Sequence, residues 1–182
     1  MYKISKEFRD IHGSVCISGS KSESNRLLLL RAYTSFFKIF NLSDSDDTQL
    51  MISAIKSDKK KINIGHAGTA MRFLTSYFSS ISEKSKVLTG SERMRQRPIS
   101  ILVDALRDLG CDIEYIEKKG FPPLKIMGKN ILSNSVTLPA NVSSQYVSSL
   151  MMLGVSLKNG LKIILSSNIT SLPYLLMTKK II

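Results

Sequence analysis

Three stretches of this sequence place small polar residues directly ahead of an apolar run. The first is Gly19-Ser20-Lys21-Ser22-Glu23-Ser24-Asn25-Arg26, followed by Leu27 to Leu30. The second is Gly65-His66-Ala67-Gly68-Thr69-Ala70-Met71-Arg72, followed by Phe73 and Leu74. The third is Val142-Ser143-Ser144-Gln145, followed by Tyr146, Val147 and Leu150 to Leu153. Each reads as a helix start with Ser or Thr as its cap, and Ser20 with Glu23 spells a capping box. Free backbone N–H groups and the positive dipole end make such starts suited to phosphate or carboxylate. Lys21 and Arg26 lie at the first, Arg72 at the second, and Arg93, Arg95 and Arg97 stand just before Pro98. Arginine adds a rigid fork for an oxyanion, lysine a compact charge. The chemistry suggested is the gripping of small anions.

Taken singly, each stretch is an ordinary cap, and the Arg93 to Arg97 run a solvated face. Three copies in the same order say more. His66 reads as a loop residue before a helix, with no Ser–His–acid arrangement around it. Without H-E-x-x-H, paired Cys or an EF-hand loop, no metal is expected. Gly65-His66-Ala67-Gly68 fits neither a dinucleotide fingerprint nor a Walker loop. Asp46 and Asp47 read as a structural acidic pair at a helix start.

The elements that must position these residues come from a chain of 182 residues, 43% apolar and 22% charged. That composition excludes a disordered tail, a collagen-like rod and a membrane protein. Cys16 and Cys111 are far apart, which argues against a disulfide framework and for a reduced, cytosolic setting. Met1 to Phe8 lacks the apolar core of a secretory signal. The net charge of +12 divides evenly, +6 in each half, and no acidic residue follows Glu117. So even a surplus points to an anionic ligand or partner.

All three first helices are apolar nearly all round, so they are expected in the interior. Each is followed by a second, more amphipathic helix. One runs from the Asp44–Asp47 cluster to about Ile55; another starts at Pro98 and stops at Gly110; the third starts near Ser171 to Tyr174. The paired starts (Ser22 to Asp46, Gly68 to Pro98, Ser143 to Pro173) are 24, 30 and 30 residues apart, which suggests an internal repeat. Cys111, Ile113 and Tyr115 alternate with Asp112 and Glu114, and with Leu124 and Ile126 they read as a hairpin turning near Gly120. Lys86 to Thr89 and Leu161 to Leu165 read as further strands. The expected unit is strand, helix, strand, helix, hairpin, and the sequence halts inside the third unit, with no stop signal after Met177.

These residues resemble the EPSP synthases, the 3-phosphoshikimate 1-carboxyvinyltransferases, over essentially the whole chain. Gly19 to Ser22 with Asn25-Arg26 is similar to the family's first signature, and Ala67-Gly68-Thr69-Ala70-Met71-Arg72 to its second. Leu88-Thr89-Gly90 with Arg93-Met94 and Arg97-Pro98 resembles the segment that delivers an arginine to phosphoenolpyruvate. Ser143-Ser144-Gln145 and Ser171 with Pro173-Tyr174 match two further substrate contacts. The resemblance implies an α+β fold of repeated βαβαββ units, with buried helices and outer sheets, in the inside-out α/β barrel arrangement of enolpyruvyl transferases. It implies about one half of a two-domain molecule. Residues 1–12 would be a lead-in strand belonging to the other domain, and residues 13–182 the substrate-binding domain.

The implied reaction joins the 5-hydroxyl of shikimate 3-phosphate to phosphoenolpyruvate with release of phosphate, in the cytoplasm, with no metal or organic cofactor. Its partners are two small anions, not nucleic acid or membrane. By the same resemblance Lys21 is catalytic and contacts both substrates. Ser22, Arg26, Ser143, Ser144, Gln145, Ser171 and Tyr174 hold shikimate 3-phosphate. Gly68, Thr69, Arg93 and Gln145 face phosphoenolpyruvate, with Arg72 and Arg97 in support. His66 stands where the family usually has Asn, and Phe73 where it usually has Pro; both are expected to flank the phosphoenolpyruvate pocket. The family's aspartate base belongs to the other half, so this chain alone is expected to bind weakly and not turn over. Competing readings are the sister transferase acting on UDP-N-acetylglucosamine, a basic nucleic-acid-binding domain, and a half-domain kept for folding or partner assembly.

Overall fold

The computed structural model describes residues 3, 5, 12–81 and 85–182. The lead-in strand expected over residues 1–12 lies, but for Lys3, Ser5 and His12, outside the described residues. Three interior helices organise the rest: α1 (Lys21–Thr34), α3 (Gly68–Ser80) and α6 (Ser144–Ser156). Ten of the thirteen α3 residues are buried. Leu29, Phe73, Leu74, Leu150 and Leu153 have no exposed surface. Serines line the α3–α6 seam: the Ser76 and Ser149 hydroxyls are 2.6 Å apart, and Ser149 donates to the Arg72 carbonyl at 3.0 Å. Small side chains with paired hydroxyls let two helices approach without stranding a polar atom.

The second helices α2 (Asp46–Ile55), α5 (Ser100–Asp108) and α7 (Leu172–Ile181) follow as the pattern predicts. α5 starts two residues later than expected. The Ile99 amide donates to the Gly120 carbonyl at 2.9 Å, and the Pro98 carbonyl is taken by side chains, so neither joins the helix. Its end is as expected. Gly110 has φ +93°, with Cys111 N–H donating to the Leu106 carbonyl and Gly110 N–H to Arg107, a Schellman closure. A short helix, α4 (Glu92–Arg95), capped by Ser91, carries Arg93 and Arg95.

The strands are β1 (Lys61–Asn63), β2 (Ser85–Thr89), β3 (Asp112–Tyr115), β4 (Leu124–Met127), β5 (Ser135–Leu138) and β6 (Lys162–Leu165). One sheet has the order β1-β2-β4-β3: β1 and β2 are parallel across α3, and the β3–β4 hairpin adds antiparallel on β2. The other pairs β5 and β6 in parallel across α6, Ser135 opposite Lys162. Strands too short for a strong alternation, β1 and β5, were not individually predicted.

The repeat needs correcting in its first unit, where no strand occurs among the described residues. Five residues (56–60) join α2 to β1, whereas 26 residues (109–134) between α5 and β5 hold the β3–β4 hairpin. Five residues cannot form two strands and a turn, so the first unit has no hairpin to complete a sheet. Its connecting segments still meet: a β-carbon on Gly19 would lie 1.8 Å from the Asn41 carbonyl oxygen. Only a glycine permits that approach.

Candidate functional site

The three interior helices point the same way. Gln145, second in α6, donates from Nε2 to Oγ1 of Thr69, second in α3, at 3.2 Å. Arg26, sixth in α1, donates from Nη2 to Oγ of Ser148, fifth in α6, at 3.1 Å. Matching depths put the three N-termini at one end of the core. Their dipoles add a common positive field there.

At the first of these ends Ser20 Oγ accepts the Glu23 N–H at 3.4 Å, which is half of the expected capping box. Lys21 is half exposed, its Nζ 3.9 Å from Oδ2 of Asp47 in the first turn of α2. A partly exposed pair this long binds little, so the ammonium stays available to a ligand. Asp47, read from sequence as structural, therefore also sits beside the lysine. Only the packing of α2 on α1 reveals that.

The second end departs from expectation. Its cap is Ala67, not Ser or Thr, and no side chain bonds the first-turn amides. An alanine side chain has no acceptor, so the free first-turn amides are left to another group. Guanidinium groups crowd the place. A β-carbon on Gly68 would be 2.4 Å from Nη1 of Arg97. Arg72, 4% exposed, donates to the Gly68 carbonyl at 3.2 Å, to the Met94 sulfur at 3.6 Å and to the Pro98 carbonyl at 2.9 Å, all uncharged acceptors. Burial lowers its pKa, Tyr146 partly offsets that, and nearby Arg97 lowers it further. Two close cations at an uncapped helix start make an environment that an anion would relieve. Beside them opens a cleft of about 850 Å³ lined by His66, Ser91, Glu92, Arg93, Met94 and Arg97. His66 Nδ1 is 3.1 Å from Ser91 Oγ. Phe73 does not share this cleft: it is wholly buried, its ring 5.5 Å from the Arg26 Cζ. Its place in α3 turns it toward α1.

At the third end Ser143 Oγ accepts the Gln145 N–H at 3.3 Å and Ser144 is buried. Near them Ser171 caps α7 from the left-handed region (φ 57°, ψ 45°), without a side-chain bond of its own. The Tyr174 ring lies 5.8 Å from Arg26 Cζ. Arg26 itself is 2% exposed and ties three helices. Nε donates to Thr178 at 2.7 Å, Nη1 to the Ser22 carbonyl at 2.9 Å, and Nη2 to Ser148. Burial lowers its pKa, and Tyr174 raises it. The structure thus joins Thr69 to Gln145, Arg93 and Arg97 to His66, and Arg26 to Ser22 and Tyr174. Besides Asp47, sequence reasoning passed over Tyr146, Ser148 and Thr178. Tyr146 and Ser148 looked like apolar and small filler in a helix, and no spacing signal marks them.

Comparison with known proteins gives the family and the fold. The family model described as EPSP synthase (3-phosphoshikimate 1-carboxyvinyltransferase) matches residues 54–182. The 3-phosphoshikimate 1-carboxyvinyltransferase of Bacteroides fragilis (strain YCH46) is 50% identical over 169 residues, covering 92% of this chain and 41% of its own length. That of Colwellia psychrerythraea is 38% identical over 192 residues, covering 91% and 45%. Among solved structures, EPSP synthase from Acinetobacter baumannii superposes with a TM-score of 0.73 at 20% identity, over 92% of this chain and 43% of that one. The fold is therefore about half of that two-domain α/β architecture. This chain spans less than half the length of the relatives it matches. With half its residues or more under the family model and a relative at 50% identity, the chain belongs to the EPSP synthase family.

Proposed function

We propose that this chain supplies the half of a 3-phosphoshikimate 1-carboxyvinyltransferase that grips both anionic substrates. One observation carries the reading: the Gln145–Thr69 hydrogen bond brings the starts of α6 and α3 together beside Arg72 and Arg97. Two oxyanions bound there would lie side by side in one positive field. In this reading Ser22, Arg26, Ser143, Ser144, Gln145, Ser171 and Tyr174 hold shikimate 3-phosphate. Gly68, Thr69, Arg93 and Gln145 face phosphoenolpyruvate, and Arg72 and Arg97 support that site.

In the reaction the 5-hydroxyl of shikimate 3-phosphate adds to C2 of phosphoenolpyruvate while C3 takes a proton. The hydroxyl proton leaves to a base. The tetrahedral adduct then expels phosphate and loses a proton from C3, which regenerates the enolpyruvyl double bond. Lys21, reaching both substrates, offsets charge on the departing phosphate, an electrostatic role. No carboxylate follows Glu117 in this chain. By the family resemblance, the base lies in the part of the relatives' length that this chain does not span.

Calorimetric titration of the purified chain tests the reading. Shikimate 3-phosphate should bind weakly, UDP-N-acetylglucosamine and a short oligonucleotide at moderate salt should not, and no product should form from both substrates. Adding the C-terminal part of the Bacteroides fragilis relative should restore product. Tight UDP-N-acetylglucosamine binding, or turnover by the 182-residue chain alone, contradicts it.

A further inference from the structure

We propose that Tyr146 is a positioning residue for the phosphoenolpyruvate arginines, its hydroxyl holding the Pro98 carbonyl and with it the Arg93–Arg97 turn. The proposal rests on the functional reading above and extends it to a residue outside the substrate contacts. Tyr146 Oη donates to the Pro98 oxygen at 2.8 Å, and Arg72 Nη2 donates to the same oxygen at 2.9 Å. A carbonyl has two lone pairs, so these donors fill it. Pro98 directly follows Arg97, whose own amide donates to the Met94 carbonyl at 3.1 Å. The next amide, Ile99, is fixed on Gly120. The turn that delivers the arginines is thus anchored on both flanks, and Pro98 is the point where α3 and α6 both reach it.

A neutral donor suits that place. Burial lowers the Arg72 pKa, the Tyr146 hydroxyl beside it raises it, and nearby Arg97 lowers it again. Left alone on Pro98, Arg72 would press the turn with one contact while its charge opposed Arg97. The phenol adds a second contact and no charge. Packing does not require the hydroxyl. Tyr146 is 3% exposed, and a phenylalanine would fill the same ring volume. Sequence position adds the functional link: Tyr146 follows Gln145, so one turn of α6 holds Thr69 with one side chain and the arginine turn with the next.

The test is Tyr146→Phe in the purified chain. Thermal unfolding reports the fold, arginine Nε–Hε NMR signals of the ligand-free chain report the turn, and calorimetry reports each substrate separately. Tyr146→Phe should unfold within a few degrees of the parent. The Arg93 and Arg97 signals should shift and gain mobility. The dissociation constant for phosphoenolpyruvate should rise about 3- to 10-fold, while that for shikimate 3-phosphate stays within 2-fold, the size of effect expected from one neutral hydrogen bond. Unchanged arginine signals overturn the proposal, as do unchanged phosphoenolpyruvate affinity or a parallel loss for both substrates. If the parent chain binds no phosphoenolpyruvate, the functional reading fails, and the arginine signals alone decide the role of Tyr146.

Discussion

The guanidinium of Arg97 rests on the Cα of Gly68, so closely that a β-carbon there would stand 2.4 Å from Nη1. Gly68 is the first residue of α3, where an alanine suits the helix as well as glycine does. Gly68→Ala should therefore fold, but with Arg97 displaced from the helix start. We expect phosphoenolpyruvate affinity to fall about 10-fold, or about 1.4 kcal/mol, with shikimate 3-phosphate much less affected. Calorimetry with each ligand checks it; equal losses would mean that Arg97 does not act at the second helix start.

Arg26 links α1, α6 and α7 through three side-chain donors, and it is almost fully covered. Truncation to alanine leaves a cavity and frees the Ser22 carbonyl, so Arg26→Ala should cost about 3 kcal/mol. Arg26→Met should cost less. Ser148 and Thr178 already stand 2.9 Å apart and can satisfy each other beside an apolar chain of similar length. Urea unfolding of both variants separates the two; a larger loss for the methionine variant would contradict this account.

Ser171 holds φ 57° and ψ 45°, a left-handed conformation that costs a side chain and that no cap hydrogen bond rewards. Ser171→Gly should stabilise the chain by roughly 0.5–1 kcal/mol while weakening shikimate 3-phosphate binding. Melting temperature and ligand titration on the same sample decide it. A destabilised variant would show that the serine makes a structural bond.

Burial pushes the Cys111 thiol up to about 12 and the Tyr115 phenol also to about 12. Both are acids whose folded values lie above their unfolded ones. In the unfolded chain they release protons first, near pH 9 and pH 10, while the folded chain holds them. Their contribution to stability should accordingly be level below pH 8 and fall as pH climbs from about 9 toward 12, by at most about 1.4 kcal/mol per pH unit for Cys111. Cys111→Ala should flatten that slope, read from urea midpoints at pH 8, 9 and 10. An unchanged slope would assign the alkaline loss elsewhere. At neutral pH a thiol reagent should modify exposed Cys16 and spare buried Cys111.

Sequence alone determined the local structure and the chemistry of the anion-gripping segments. Ser20 and Ser143 cap helices where the pattern predicts, Gly110 closes α5 through a positive φ, and the Ile113–Ile126 hairpin pairs as its alternation requires. Each of these depends on residues a few positions apart, whose preferences act before any packing. Tertiary structure decided the rest. It capped α3 with Ala67, left its first-turn amides without a side-chain acceptor, and set Arg97 from another segment beside them. It withheld a hairpin from the first unit, because five residues cannot make one. It turned Phe73 toward Arg26 and away from the cleft. It also joined Gln145 to Thr69 and Tyr146 to Pro98, partners 76 and 48 residues apart. Such pairs form only when helices settle at a particular depth and rotation. Those are set by the summed packing of the core, which no local spacing encodes.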